Sequence, residues 1–276
     1  MSSVMRVSTA LLISFVLAGC HREATVAFGR RAAPEQVEVS TTQQLSLQLT
    51  VGLGEDVEPQ THETSTTLRA RVERTGSGHV VRWLEHSGVG ALEGRSFTVN
   101  GGQALSVESG VALEREQAAD TLSVAHGVGP DALQVALMTE PLPMTGSSPH
   151  VDAAFGLLAR RALGDSAVVE HATLRLETAS DTVATFSASL DAVTSAGPVT
   201  MRTQLHGTLE VRRADTLPLV VTLEGPVEVT STQSDDEPRL SGKGTLSLSR
   251  RLVPLEAAGE STIVSASERL RAMFHE

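Results

Sequence analysis

The chain reads as a mainly β protein, a curved antiparallel meander whose two blocks of strands flank one or two central helices at about residues 130–163. Three observations predict this. Apolar and polar residues alternate with period two through both halves, as in strands with one buried and one wet face. Glycine-rich turn sequences separate the alternating runs at hairpin spacing. Between about 130 and 163 the apolar spacing lengthens toward the helical period. Two β-domains joined by the helical segment would satisfy the same observations.

The first strand is the clearest, because Leu45, Leu47, Leu49, Val51 and Leu53 share one face while Gln44, Ser46, Gln48 and Thr50 share the other. Further strands are predicted at about 64–75, with Leu68, Ala70 and Val72 on one side, and at about 78–86, with Val81 and Trp83 set against Arg82. Others follow at about 95–99, 103–108, 111–116 and 121–126. Gly76-Ser77-Gly78, Asn100-Gly101-Gly102 and Ser109-Gly110 supply the positive φ angles of tight loops. Gly129-Pro130 opens a short helix over 131–139, with Leu133 and Leu137 on one face. A Pro-, Gly- and Ser-containing loop leads to a second helix. There Ser148 stands at the N-cap, Pro149 at the first position and Asp152 in the first turn. Val151, Phe155, Leu158 and Ala162 form its apolar stripe, Arg160 and Arg161 suit the C-terminal dipole, and Gly164 ends it. In the C-terminal half Val199, Met201, Thr203, Leu205, Gly207, Leu209 and Val211 alternate with polar residues. Strands at about 166–178, 182–191, 217–230 and 239–252 complete a five-stranded antiparallel block. The stretch 261–274 fits neither period, and the two halves share no residue pattern at a fixed offset.

The N-terminus carries a different signal. Arg6 is followed by an apolar run over 7–17 and by the small residues Ala18 and Gly19, the pattern of a secretory signal. The run is shorter than the roughly 20 residues a membrane-spanning helix needs. Leu17-Ala18-Gly19-Cys20 resembles the lipobox of bacterial lipoproteins. The resemblance implies cleavage before Cys20, two or three acyl chains on that residue, and stable tethering to a lipid bilayer, since two chains hold where one does not. It divides the chain into a cleaved signal peptide at 1–19, a lipidated cysteine with a flexible tether at 20–36, a β-rich domain at 37–260 with its helical insert, and a C-terminal segment at 261–276. Arg30-Arg31 reads as a solvated pair within the tether. His21 replaces the Asp that in such lipoproteins favours inner-membrane retention, which implies the outer membrane where the source has one. Cys20 is the only cysteine, so no disulfide forms within the chain and the core alone holds the fold.

Composition excludes some functions. The formal net charge is −11, with 3% aromatic residues, one Trp and no Tyr. Nucleic-acid binding needs a basic footprint and stacking platforms, and is excluded on both counts; sugar-binding modules, which lean on exposed aromatic faces, are disfavoured. His79 and His86 flank Trp83 near Glu85, but strand geometry puts 79 and 86 on opposite faces, so they read as two surface histidines and not as a metal pair. Asp235-Asp236-Glu237 lacks the alternating oxygen ligands of a calcium loop. Gly242-Lys243-Gly244-Thr245 lacks the spaced glycine and following helix of a phosphate loop. No nucleophile elbow or zinc-protease motif occurs. No cofactor, metal or catalytic residue is therefore expected.

The order of strands, helices and strands over about 37–252 resembles the half-barrels of periplasmic lipoprotein carriers and related lipid-binding lipoproteins. The resemblance implies a concave sheet face that holds an acyl chain or another hydrophobic ligand. Phe155, Leu205, Leu209, Leu219, Val221 and Leu223 are the candidate lining. Apolar strand faces packed on a helix need no ligand, however, and an ordinary packed core is the reading these residues favour, because buried alternating faces are what any such sheet requires. The expected function is a membrane-anchored, non-catalytic binding or interaction module of the cell envelope, with an envelope protein as partner; the alternatives are the carrier of a hydrophobic ligand and, behind both, an envelope enzyme whose site is assembled from distant strands without a motif.

Overall fold

A computed structural model describes residues 25–255 apart from 33, 54–55, 88–89, 101, 129–131, 164–165 and 232–238. The signal peptide, Cys20, the acidic run at 235–237 and the segment 261–276 lie outside the described residues. The chain runs through strands β1 (Thr25–Val26), β2 (Gln36–Leu53), β3 (Asp56–Thr75), β4 (Gly78–His86), β5 (Ser96–Asn100) and β6 (Gln103–Ser106). Helices α1 (Arg115–His126) and α2 (Ala132–Thr139), strand β7 (Leu142–Pro143) and helix α3 (Pro149–Leu163) follow. Strands β8 (Ala167–Ala179), β9 (Val183–Ala196), β10 (Val199–Arg212), β11 (Pro218–Ser231) and β12 (Arg239–Leu255) complete the order.

Ten strands form one antiparallel sheet in the order β6-β5-β4-β3-β2-β12-β11-β10-β9-β8. The mainly β, curved meander expected from the period-two pattern is what forms, and it does not close into a barrel. Each half is a run of consecutive hairpins. The join is the pairing of β2 with β12 from Gln36↔Leu255 to Gly52↔Arg239, so the two blocks are one sheet, not two. Val199, Met201, Thr203, Leu205, Leu209 and Val211 face inward as the alternation predicts, while Arg202, Gln204, His206 and Thr208 are exposed.

Curvature has a residue-level cause. Gly207 lies opposite Leu223, Gly225 opposite Leu246, and Gly244 opposite Leu47, so the glycines step by two residues per strand across β10, β11 and β12. A Cβ at each would overlap a main-chain carbonyl of the neighbouring strand, Thr222, Gln204 and Ser46 respectively. This diagonal lets the backbones approach where the sheet bends. Gly244 of the supposed phosphate-loop look-alike is thus part of the bend.

Two apolar clusters occupy the concave face. One joins α2 and α3 to β2 and β8–β12, around Leu174, Leu176, Phe186, Leu205 and Leu209. The other joins α1 to β2–β6 around Trp83, Phe97, Val72 and Val81, with Leu217 and Leu252 reaching in. The helical segment is longer than 130–163. Residues 121–126, expected as a strand, belong to α1, as does the end of the expected strand 111–116. Ala118, Thr121, Leu122, Ala125 and Val128 make a helical stripe, but small and polar members dilute it until the Leu122, Val124 alternation dominates the reading. In α3 Ser148 precedes the first residue as expected, but its hydroxyl donates to Glu140 at 2.9 Å. Asp152 accepts from the Leu174 amide at 2.7 Å and so ties the helix to β8.

Part of the segment expected as a free tether is docked. β1 pairs with β7, Val26 and Phe28 are buried, and the Phe28 ring stacks on Phe186 at 6.1 Å between centroids. The Gly29 amide donates to the Arg213 carbonyl at 2.6 Å. Two buried apolar residues are too few to register as a periodic signal, which is why the segment reads as tether.

Candidate functional site

The helices do not fill the concave face completely. A cavity of about 220 Å³ remains between α3 and the sheet, with Gly127, just past the end of α1, in its lining. Phe155, Leu158, Ala159 and Leu163 of α3 form one wall. The opposite wall comes from β9–β12, including Leu190, Met201, Leu205, Leu223 and Leu246. Gln43 of β2 and Arg250 of β12 are the two polar side chains of the lining. Such a volume exceeds the about 150 Å³ of a dry apolar cavity that takes benzene, and lies below the roughly 300 Å³ where drug-sized pockets begin.

Of the six candidate lining residues, Phe155, Leu205, Val221 and Leu223 are brought together around this cavity. Leu209 is not part of the wall; it is fully buried in the surrounding core. Leu219 packs against the other cluster, beside α1. The cause is a bulge: Glu210 pairs with Val220 and Val211 with Pro218, so Leu219 is the extra residue. A bulge breaks the alternation at that point, and Pro218 takes the place in the cavity wall that strict alternation assigns to Leu219. Gln43, Gly127 and Arg250 were missed. The signal for Arg250 was present: it interrupts the inward-facing series Leu246, Leu248, Leu252.

A second bulge corrects the reading of the histidines. Ala70 pairs with Trp83 and Arg69 with Glu85, so Leu84 is the extra residue of β4. The shift puts His79 and His86 on the same inner face as Trp83. His86 is only 3% exposed. Its Nε2 lies 3.1 Å from Asp120 Oδ2, and its ring meets Trp83 edge to face at 4.8 Å. Trp83 Nε1 donates to the Thr121 hydroxyl at 3.2 Å, which in turn donates to the Gln117 carbonyl at 3.0 Å. These contacts pin α1 to the sheet. His79 sits below its ordinary pKa because burial disfavours its charged form, and the charges of Arg74 and His126 act in the same direction. Among the described residues no group of three His, Cys, Asp or Glu side chains is placed to hold a metal ion.

A further groove runs between α3 and β8 at the sheet edge, about 420 Å³ in volume, with Asp152, Leu157, Arg160, Val168, Glu170 and His171 among its lining.

No protein-family model matches this chain. No curated protein matches it either. Among solved structures, a DUF1329 family protein from Desulfovibrio piger is similar at 7% identity over 85% of this chain and 91% of its own, with a TM-score of 0.19. Ail, the attachment invasion locus protein of Yersinia pestis, matches at 8% identity over 77% of this chain and 97% of its own, with a TM-score of 0.12. The InvG secretin β-barrel from the Salmonella injectisome matches at 9% identity over 87% of this chain and 70% of its own, with a TM-score of 0.16. Likenesses at these scores carry no argument, and the functional reading rests on the chain's own residues and geometry.

Proposed function

We propose that this chain is a lipid-anchored, non-catalytic binding protein of the bacterial cell envelope that takes a hydrophobic ligand between α3 and the concave sheet. The single observation behind the binding role is the apolar cavity of about 220 Å³, a space that a sheet packed only for stability would fill. The anchor rests on the lipobox-like run ending at Cys20, and the outer membrane is favoured by His21. The docked start of β1 makes the two compatible. Cys20 is five residues before Thr25, so the chain between lipid and domain spans at most about 17 Å. The domain therefore rides close to the bilayer, within reach of lipidic ligands. Replacing Cys20 with Ser and fractionating cells tests the anchor: the variant is expected in the soluble envelope fraction, and retention in the membrane fraction contradicts it.

A second reading, docking of an envelope protein partner, is favoured by the groove beside β8, the last strand of the sheet. Leu157 and Val168 there are exposed, at 52% and 61%. A photo-crosslinking residue at position 168 should then yield a discrete adduct in cells, and its absence argues for the cavity alone.

A further inference from the structure

We infer that the turn end of the β3–β4 hairpin is a phosphate-binding site, in which Arg74 and His79 hold one oxyanion from adjacent strands and His126 adds its charge from the end of α1. The site is separate from the cavity under α3 and does not rest on it. Arg74 and His79 stand directly opposite each other, as the last inward pair before Thr75 and Gly78 close the hairpin. The inward pairs before them, Val72 with Val81 and Ala70 with Trp83, are apolar and fully buried. The row thus ends in two basic side chains.

Both carry polar atoms with nothing to bond. Arg74 Nη2 and His79 Nε2 are shut off from water, and neither has a hydrogen-bond partner among the described residues. Directly opposed side chains on neighbouring strands have Cβ atoms only about 5 Å apart, yet these two atoms do not bond each other. A guanidinium has donors and no acceptor, so satisfying both groups together calls for an acceptor brought between them. The described residues supply none. In a chain of formal net charge −11, none of the described ion pairs includes Arg74, His79 or His126. The Glu35 carbonyl accepts from the Arg74 amide at 2.7 Å, but the Glu35 side chain is exposed and forms no ion pair with it. His126, the last residue of α1, and Arg74 are both close enough for their charges to act on His79. Three basic side chains from three elements suit a tetrahedral oxyanion, whereas a planar carboxylate would be saturated by the guanidinium fork alone. Arg74 and His79 are partly buried and His126 is exposed, so the site opens to solutes at the end of the sheet. The shared chemistry is a phosphate group, free or on a lipid headgroup.

Proton NMR of the histidine rings in the intact protein tests the site, with sodium phosphate titrated at about pH 6 against sodium chloride of equal ionic strength. The His79 signals, identified by their loss in His79→Gln, should shift saturably with phosphate and not with chloride. A bound anion favours the imidazolium, so their titration midpoint should also rise when phosphate is present, against the opposing charges of Arg74 and His126. Arg74→Gln should weaken phosphate binding at least about tenfold. Arg74→Lys, which keeps the charge and loses the fork, should weaken it about threefold or more and serves if Arg74→Gln does not fold. Glycerol 3-phosphate distinguishes the source: binding tighter than that of inorganic phosphate assigns the site to a headgroup, and weaker binding assigns it to the free anion. Acetate as effective as phosphate would overturn the assignment. So would a shift that does not saturate, one shared equally by all the histidines, or binding that survives unchanged in Arg74→Gln.

Discussion

Replacing Ala159 with Leu asks whether the space beneath α3 is real. Ala159 is 6% exposed, sits on the inner face of α3 and contributes to the cavity wall. Leu is nearly as good a helix former as Ala, so the backbone is little affected. Three added carbons entering an empty apolar space gain about 0.8 kcal/mol each, close to 2.4 kcal/mol. Ordering the Leu rotamers returns about 0.5–1 kcal/mol. The net expectation is a stabilisation of about 1.5 kcal/mol, or a rise of about 3–6 °C in Tm for a chain of this size. Thermal unfolding of delipidated protein reads it out, and Trp83 is a clean probe because the chain has no other Trp and no Tyr. The same variant should bind 1-decanol, a single-chain hydrophobic probe, at least about tenfold more weakly, since the added group occupies the ligand's volume. Destabilisation by about 1 kcal/mol or more would be the signature of overpacking, and would refute the claim that α3 leaves room there.

Other consequences follow from single contacts. Gly225→Val places a side chain against the Gln204 carbonyl on the diagonal where the sheet bends, and should cost about 1–3 kcal/mol by urea unfolding; an unchanged midpoint would show that the bend does not need the close approach. Asp215 is buried, and its carboxylate takes a forked pair of hydrogen bonds from Arg212 at 2.9 and 2.5 Å together with the Leu217 amide at 3.3 Å. Discounting for the partial exposure of Arg212, Asp215→Ala should cost about 2 kcal/mol, and a loss below about 0.5 kcal/mol contradicts that role. His79 has a lowered folded-state pKa, so the unfolded chain takes up its proton first. Its stabilising contribution is complete above its ordinary value of 6.5 and is lost as pH falls toward the lowered one. Urea midpoints at about pH 7.5 and 5.5 should therefore differ less in His79→Gln than in the parent, and an equal difference in both would contradict the assignment.

The legibility of this fold follows from where alternation is unbroken. Along β10 every inward residue from Val199 to Val211 is in its predicted place, because a period of two admits no drift while the strand stays regular. Each misplaced side chain sits beyond an irregularity that composition does not announce. The extra residue Leu84 turns His86 inward, and the extra residue Leu219 exchanges its own place for that of Pro218. Helix α1 was hidden because Ala118, Thr121 and Ala125 of its inward face are small or polar. The cavity wall was legible in four of its residues, as apolar positions on predicted inner faces. The polar end was not, although a charged residue at an inward strand position is a signal in its own right. Its companion Gly127 has meaning only once α1 is seen to end against β12, a contact between residues more than a hundred positions apart. The tie of β2 to β12, which turns two meanders into one sheet, is likewise a long-range pairing on which local periodicity is silent.

The most direct test of the central claim is native mass spectrometry of the protein extracted gently from envelopes of cells that express it. The account predicts a population heavier than the protein with its own anchor by the mass of one small hydrophobic ligand, released on denaturation. A single species at the mass of the anchored protein, with nothing released on denaturation, would contradict it.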